Sequence, residues 1–155
     1  MAAQSTTPDP DEHRFVLADV APVSWAVMQL AHTQRALAAQ RLATLGLFPG
    51  QELVLAHLWT VDGRSQKELR CLLGLDHSTI AKSVQRLEKA GLVRRERSAA
   101  DGRVTLVQLT DAGRALQEPV RRIWEELETR WAHIAPEDAD RLTSLARSLR
   151  APAAD

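Results

Sequence analysis

Six polar side chains fall within ten residues: His77, Ser78, Thr79, Lys82, Gln85 and Arg86. Their types suit duplex DNA. Arg and Lys pair with guanine and with phosphate, Gln pairs with adenine, and hydroxyls serve phosphates or base edges. Ile80, Val84 and Leu87 follow the i, i+4, i+7 spacing of a buried helical stripe, which leaves the polar residues on the opposite, solvent-facing side. A second basic cluster follows at Arg94, Arg95 and Arg103. Arg103 stands just past a polar turn, where a cation reaches a minor groove or lies along phosphate. Asp101 beside it would oppose phosphate unless paired. A pairing with Arg94, Arg95 or Arg97 would neutralise it and hold the turn.

The 155-residue chain is formally neutral, with 20 basic and 20 acidic residues. Their distribution is uneven. From Arg64 to Arg103 there are ten basic residues and five acidic ones, and the rest of the chain carries the opposite imbalance. A basic middle between acidic flanks is the footprint of one module facing phosphate.

Other chemistries find little support. There is no phosphate-binding Gly-rich loop, no G-x-S-x-G and no H-E-x-x-H, so an enzyme is not expected. His13, His32, His57, His77 and His133 lack ligand spacing and there is no C-x-x-C, so neither a metal nor a cofactor is implied. A lone cysteine, Cys71, excludes an internal disulfide and fits a reducing cytoplasm. Flanked by Leu69, Leu72 and Leu73, it is expected to be a small core residue. No apolar run approaches the roughly 20 residues that span a bilayer, so no membrane association is expected. Residues 1–12 and 151–155 read as disordered tails without a secretory pattern.

Trp25, Met28 and His32 share one helical face, and with Trp59 they could line a pocket for a small aromatic or phenolic effector. The same spacing equally suits a core or a subunit interface.

The elements that must position these residues are mainly helical. Helices are expected over 19–45 and 51–61. Ser65 and Glu68 form an S-x-x-E capping box at the start of a short helix that stops at Gly74. Asp76 caps the next helix, which runs to about Ala90 with Gly91 as its stop. This helix, turn, helix arrangement is followed by a two-stranded hairpin, from Val93 to Leu109, with its polar tip at 98–102. Thr110 caps a helix over 111–133 that Pro119 is expected to bend. Pro136 opens a last helix carrying Leu142, Leu145 and Leu149. The fold class is therefore mainly α with a small β-hairpin wing: a winged helix-turn-helix over about 51–110, within a single domain spanning 13–150.

Leu75-Asp76-His77-Ser78-Thr79, then Leu87-Glu88-Lys89-Ala90-Gly91-Leu92-Val93-Arg94-Arg95, resembles the MarR family of bacterial regulators. So does Asp101-Gly102-Arg103 followed by Leu109-Thr110 and Gly113. The likeness covers roughly Trp25 to Leu149. It departs at Gly102, where Arg is frequent, and at His77, where Pro often opens the recognition helix. The resemblance implies a homodimer joined through helices at about 19–45 and 111–150. It also implies two winged modules facing successive major grooves of a pseudo-palindromic operator. Family members mostly repress neighbouring genes, and many release DNA on binding a small aromatic acid. The expectation is a cytoplasmic, ligand-responsive repressor. The alternative is a dimeric adaptor that uses its winged helix to bind protein without specific DNA binding.

Overall fold

The structure, a computed structural model, describes residues 16–149; the two expected tails lie outside them. The chain divides into an N-terminal unit that ends at Ala36 and a second unit from Leu37 onward.

Helices α1 (Leu17–Val20) and α2 (Pro22–Leu42) replace the single helix expected over 19–45. Proline disfavours the helical conformation in the residue before it, and Ala21 takes φ −140° and ψ 65°. A 3₁₀ turn, Ala43–Leu45, then ends at Gly46, whose φ of 72° lies in the left-handed region. Within the N-terminal unit Val20, Val23, Trp25, Val27, Met28 and Leu30 are all exposed.

The second unit holds the core. Its helices α3 (Gln51–Thr60), α4 (Gln66–Leu73) and α5 (His77–Lys89) start and stop where local chemistry directs. The Ser65 hydroxyl accepts from the Glu68 N–H, and the Glu68 carboxylate accepts from the Ser65 N–H at 2.7 Å, so the capping box is complete. Gly74 ends α4 in the left-handed conformation. Leu69, Ile80, Val84 and Leu87 are completely buried against Leu55 and Leu58 of α3. Cys71 is exposed, contrary to the expectation of a core residue. Helical geometry explains this: two residues on from the buried Leu69, its side chain points some 200° away around α4.

Three antiparallel strands form the sheet, not two. Strands β1 (Arg64–Ser65), β2 (Val93–Arg97) and β3 (Thr105–Leu109) lie in the order β1-β3-β2. Arg64 pairs with Val107 on one side of β3, and Arg95 pairs with Val107 on the other. A two-residue strand carries no alternation to read in sequence.

Beyond β3, Thr110 caps α6 (Asp111–Ala115), its hydroxyl accepting from the Gly113 N–H. The expected bent helix over 111–133 is instead divided into α6, α7 (Gln117–Glu128) and a 3₁₀ turn, Thr129–His133. A proline ring collides with the carbonyl four residues earlier, which here belongs to Ala115, the last residue of α6. Pro119 itself falls in the first turn of α7, where an amide N–H has no helical partner to lose. Val120, Ile123 and Leu127 turn that helix onto the core. Helix α8 (Pro136–Ser148) opens with proline, as expected, but buries none of its residues.

Candidate nucleic-acid interface

Asp76 begins the site. Its carboxylate accepts from the Thr79 N–H at 2.9 Å, the Thr79 hydroxyl at 2.6 Å and the Ser78 hydroxyl at 2.7 Å. The hydroxyl bonds from Thr79 and Ser78, with the Thr79 amide, hold the Asp76 carboxyl far below the usual carboxylate range. Both hydroxyl hydrogens are thereby engaged, so Ser78 and Thr79 offer lone pairs outward. The buried stripe Ile80, Val84 and Leu87 fixes the rotation of α5. His77, Ser78, Thr79, Lys82, Gln85 and Arg86 are all exposed, so the structure brings the six predicted residues onto the solvent side of one helix. Among the described residues, neither Lys82 nor Arg86 has a carboxylate within salt-bridge distance.

The wing places its cations differently. Arg94 contacts Glu96 and donates to Gln108 at 2.9 Å. Arg95 clasps Glu88 of α5 with two hydrogen bonds, Nε at 3.1 Å and Nη2 at 2.5 Å, which ties β2 to the recognition helix. The Arg95 hydrogen bonds hold the Glu88 carboxyl below its ordinary value. Arg97 donates to the Gly102 carbonyl at 2.7 Å. The pairing expected between Asp101 and one of these arginines does not form. All three have nearer partners, and Asp101 accepts instead from the Arg103 backbone N–H at 2.9 Å. With the Val104 N–H donating to the Asp101 carbonyl at 2.9 Å, this closes the tip as a turn. Arg103 is exposed and, among the described residues, has no ion-pair partner.

Three features escaped the sequence reading. Asp62, read only as a turn residue, accepts from the Gly63 N–H, from the Leu109 N–H at 2.9 Å and from Arg114 at 2.7 Å. Burial raises its pKa, but the Leu109, Arg114 and Gly63 bonds outweigh that and leave it lowered. It thus fastens the end of β3 to α6 and to the turn after α3. Gly113 sits so close to the Leu92 carbonyl that a Cβ there would lie 2.0 Å from the oxygen. The Thr110 hydroxyl donates to the Gly91 carbonyl at 2.7 Å, so the Leu-Thr-x-x-Gly run is a packing device against the end of the recognition helix. Phe48 places its ring 5.7 Å from the Arg86 guanidinium. No local signal marks that partner, which lies 38 residues away.

Of the four residues predicted to line an effector pocket, Trp59 is half-buried and donates its indole N–H to the Gly113 carbonyl at 3.0 Å. It lines a groove of about 620 Å³ between α3 and α7, with Trp124, Val120, Glu52 and Arg121 among the other walls. Burial raises the Glu52 pKa, against hydrogen bonds from its own amide and that of Gly50. Trp25, Met28 and His32 belong to the N-terminal unit and stand exposed on α2. Among the described residues no cluster of three metal-ligating side chains occurs, and no helix is long and apolar enough to cross a membrane.

A sequence model of the MarR family matches residues 45–104, which run from the end of the 3₁₀ turn through α5 to the wing tip. The transcriptional regulator TtmR of Methylorubrum extorquens is 40% identical over 93 residues, covering 60% of this chain and 48% of that protein. The organic hydroperoxide resistance regulator of Bacillus subtilis is 37% identical over 68 residues, covering 44% of this chain and 46% of that one. The matches thus span about half the length of these curated relatives. A probable transcriptional regulator from Pseudomonas aeruginosa superposes with a TM-score of 0.77 at 30% identity, over 84% of this chain and 98% of that structure. A mutant Escherichia coli MarR complexed with operator DNA superposes with a TM-score of 0.81 over 88% of this chain and 99% of that one; at 20% identity it speaks for the fold. The family match falls on the helices and wing that carry the predicted site, and a relative at 30% identity is spanned almost end to end: the chain belongs to the MarR family.

Proposed function

We propose that the chain is a homodimeric, sequence-specific DNA-binding regulator of transcription that acts as a repressor in the cytoplasm. The observation that carries this reading is the solvent face of α5. His77, Ser78, Thr79, Lys82, Gln85 and Arg86 stand exposed there above a fully buried apolar stripe. In helix-turn-helix proteins the N-terminal part of this helix reads base edges in the major groove. Arg103 at the wing supplies a cation for phosphate or a minor groove. Arg94 and Arg95 serve the site mainly by bracing the wing, since each is already paired with an acid.

Dimerisation is supported by apolar side chains left in solvent on two helices: Val23, Val27 and Leu30 on α2, and Leu142 and Leu145 on α8, with Leu149 at its C-cap. A two-fold dimer would set its recognition helices about 34 Å apart, one turn of DNA. We place effector binding at the groove between α3 and α7, where Trp59 and Trp124 offer aromatic walls to a small aromatic ligand. A ligand preferring a different helix spacing would weaken DNA binding by its differential affinity for the two states.

The test is fluorescence anisotropy on a duplex from the region upstream of the protein's own gene, with a scrambled duplex and a salt series alongside. Tight, salt-sensitive binding of two chains to the upstream duplex, with much weaker binding to the scrambled one, is the expected result. Arg103→Ala should weaken binding to both duplexes and lower the salt slope by about two, one for each subunit. Equal, weak binding to both duplexes would instead favour the adaptor.

A further inference from the structure

The predicted site treats every polar residue of α5 alike, but the helix is long enough to separate two roles. Arg86 lies nine residues beyond His77, roughly 13 Å further along the axis. The major groove is only about 12 Å wide. With the N-terminal end of α5 on the base edges, Arg86 therefore stands at the wall of the groove, level with the sugar-phosphate backbone. Lys89 follows one turn later.

What holds Arg86 there is an aromatic ring. Phe48 is 61% exposed, and its ring centroid is 5.7 Å from the Arg86 guanidinium carbon. The loop that presents it is firm. Leu47 is anchored in the core at 2% exposure. The Phe48 N–H donates to the side-chain carbonyl of the buried Gln51 at 2.9 Å, and the Phe48 carbonyl accepts from the Gln51 N–H at 3.0 Å. Beside the ring opens a cleft of about 410 Å³, lined by Gly46, Phe48, Gln51, Arg86, Lys89 and Ala90. Its charged walls are both cationic. The nearest acid in sequence, Glu88, is occupied by Arg95.

We propose that Phe48 is a positioning residue for DNA backbone contact: its ring holds the Arg86 guanidinium, beside Lys89, over the phosphates at the edge of the groove that α5 enters. The proposal rests on the DNA-binding reading. A guanidinium stacked on an aromatic face keeps its N–H donors directed outward in the ring plane, while its rotamer freedom is already reduced. Arg86 then contributes affinity without base preference, and sequence is read by the residues nearer His77.

Wild type, Phe48→Ala, Phe48→Trp, Arg86→Ala and the Phe48→Ala/Arg86→Ala double variant would be titrated against a fluorescein-labelled duplex from the upstream region and a scrambled duplex, at several salt concentrations. Phe48→Ala should weaken both complexes equally, by about five- to thirtyfold because each dimer loses two such pairs, and Phe48→Trp should restore them. In the Arg86→Ala background the Phe48 change should have no further effect, and only variants lacking Arg86 should lose about two units of salt slope, one for each subunit. Thermal midpoints should not move with Phe48, since its ring is exposed. The proposal is overturned by wild-type affinity in Phe48→Ala, by additive losses in the double variant, or by a loss confined to the upstream duplex. Failure of the wild type to bind either duplex at low salt would overturn the DNA reading itself, and this inference with it.

Discussion

Helices α5 and α8 are both 13 residues long, and both carry apolar residues at helical spacing. Ile80, Val84 and Leu87 of α5 are completely buried, whereas Leu142 and Leu145 of α8 and Leu149 at its C-cap are 38%, 61% and 83% exposed. The periodic pattern is the same and its fulfilment is opposite. The winged helix satisfies its apolar stripes within one chain, with α3, α4, α5, α7 and the sheet closing over a single core. The last helix presents a stripe that the described residues do not cover. On the dimeric reading proposed above, such an apolar face serves as the association surface, and the two helices then divide the work of folding from the work of assembly.

That division is open to attack at four places, in falling order of expected effect. Leu145→Asp should leave the winged helix folded but yield monomers in sedimentation analysis. With only one half-site engaged at a time, its affinity for a two-half-site duplex should fall on the order of 100-fold or more. A variant that stays dimeric would remove α8 from the interface. Leu87→Ala attacks the other side of the comparison. It should cost about 2–5 kcal/mol of unfolding free energy in urea titrations, without altering the dissociation of dimers that remain folded.

Gly113→Ala should cost about 1–3 kcal/mol through overpacking, because its new methyl meets the rigid Leu92 backbone and not a side chain able to swing aside. Wild-type stability in that variant would show that the junction between α6 and the end of α5 yields readily. The smallest effect is expected at Asp62. Its folded pKa lies below its unfolded value, so its contribution is present above the unfolded carboxylate pKa of about 3.9 and is lost as pH falls through the lower, folded value. Asp62→Asn should therefore flatten the acid limb of the stability profile, measured by thermal unfolding between pH 7 and pH 2. An unchanged limb would mean that the ties from Leu109 and Arg114 are not specific to the charge.

Legibility followed range. The Ser65 capping box, the Asp76 cap, the Gly74 stop, the Thr110 cap and the opening Pro136 were all readable, because each acts within about four residues of itself. The polar face of α5 was readable for the same reason, since a helix repeats every 3.6 residues and its buried stripe defines the opposite side. Pro22 and Pro119 were visible as residues, but whether each would bend or break its helix depended on what the preceding turn could give up. Strand β1 was missed because two residues make no pattern, and Cys71 because its leucine neighbours do not share its side of α4.

The sequence by itself determined the order of elements, the capped recognition helix, the basic middle of the chain and the family to which these belong. All of these are written in spacing and side-chain type. Tertiary structure alone decided which charges remain free. Arg94 and Arg95 stood beside Arg103 as candidate DNA contacts, yet each, like Arg97, found a partner across the hairpin or on α5, while Asp101 turned to its own backbone. The sequence also left unseen that Asp62 would reach Leu109 and Arg114, or that Phe48 would lie under Arg86. Hydrogen bonds and ion pairs act over a few ångströms, so their partners are set by the folded path that brings distant residues together and not by distance along the chain.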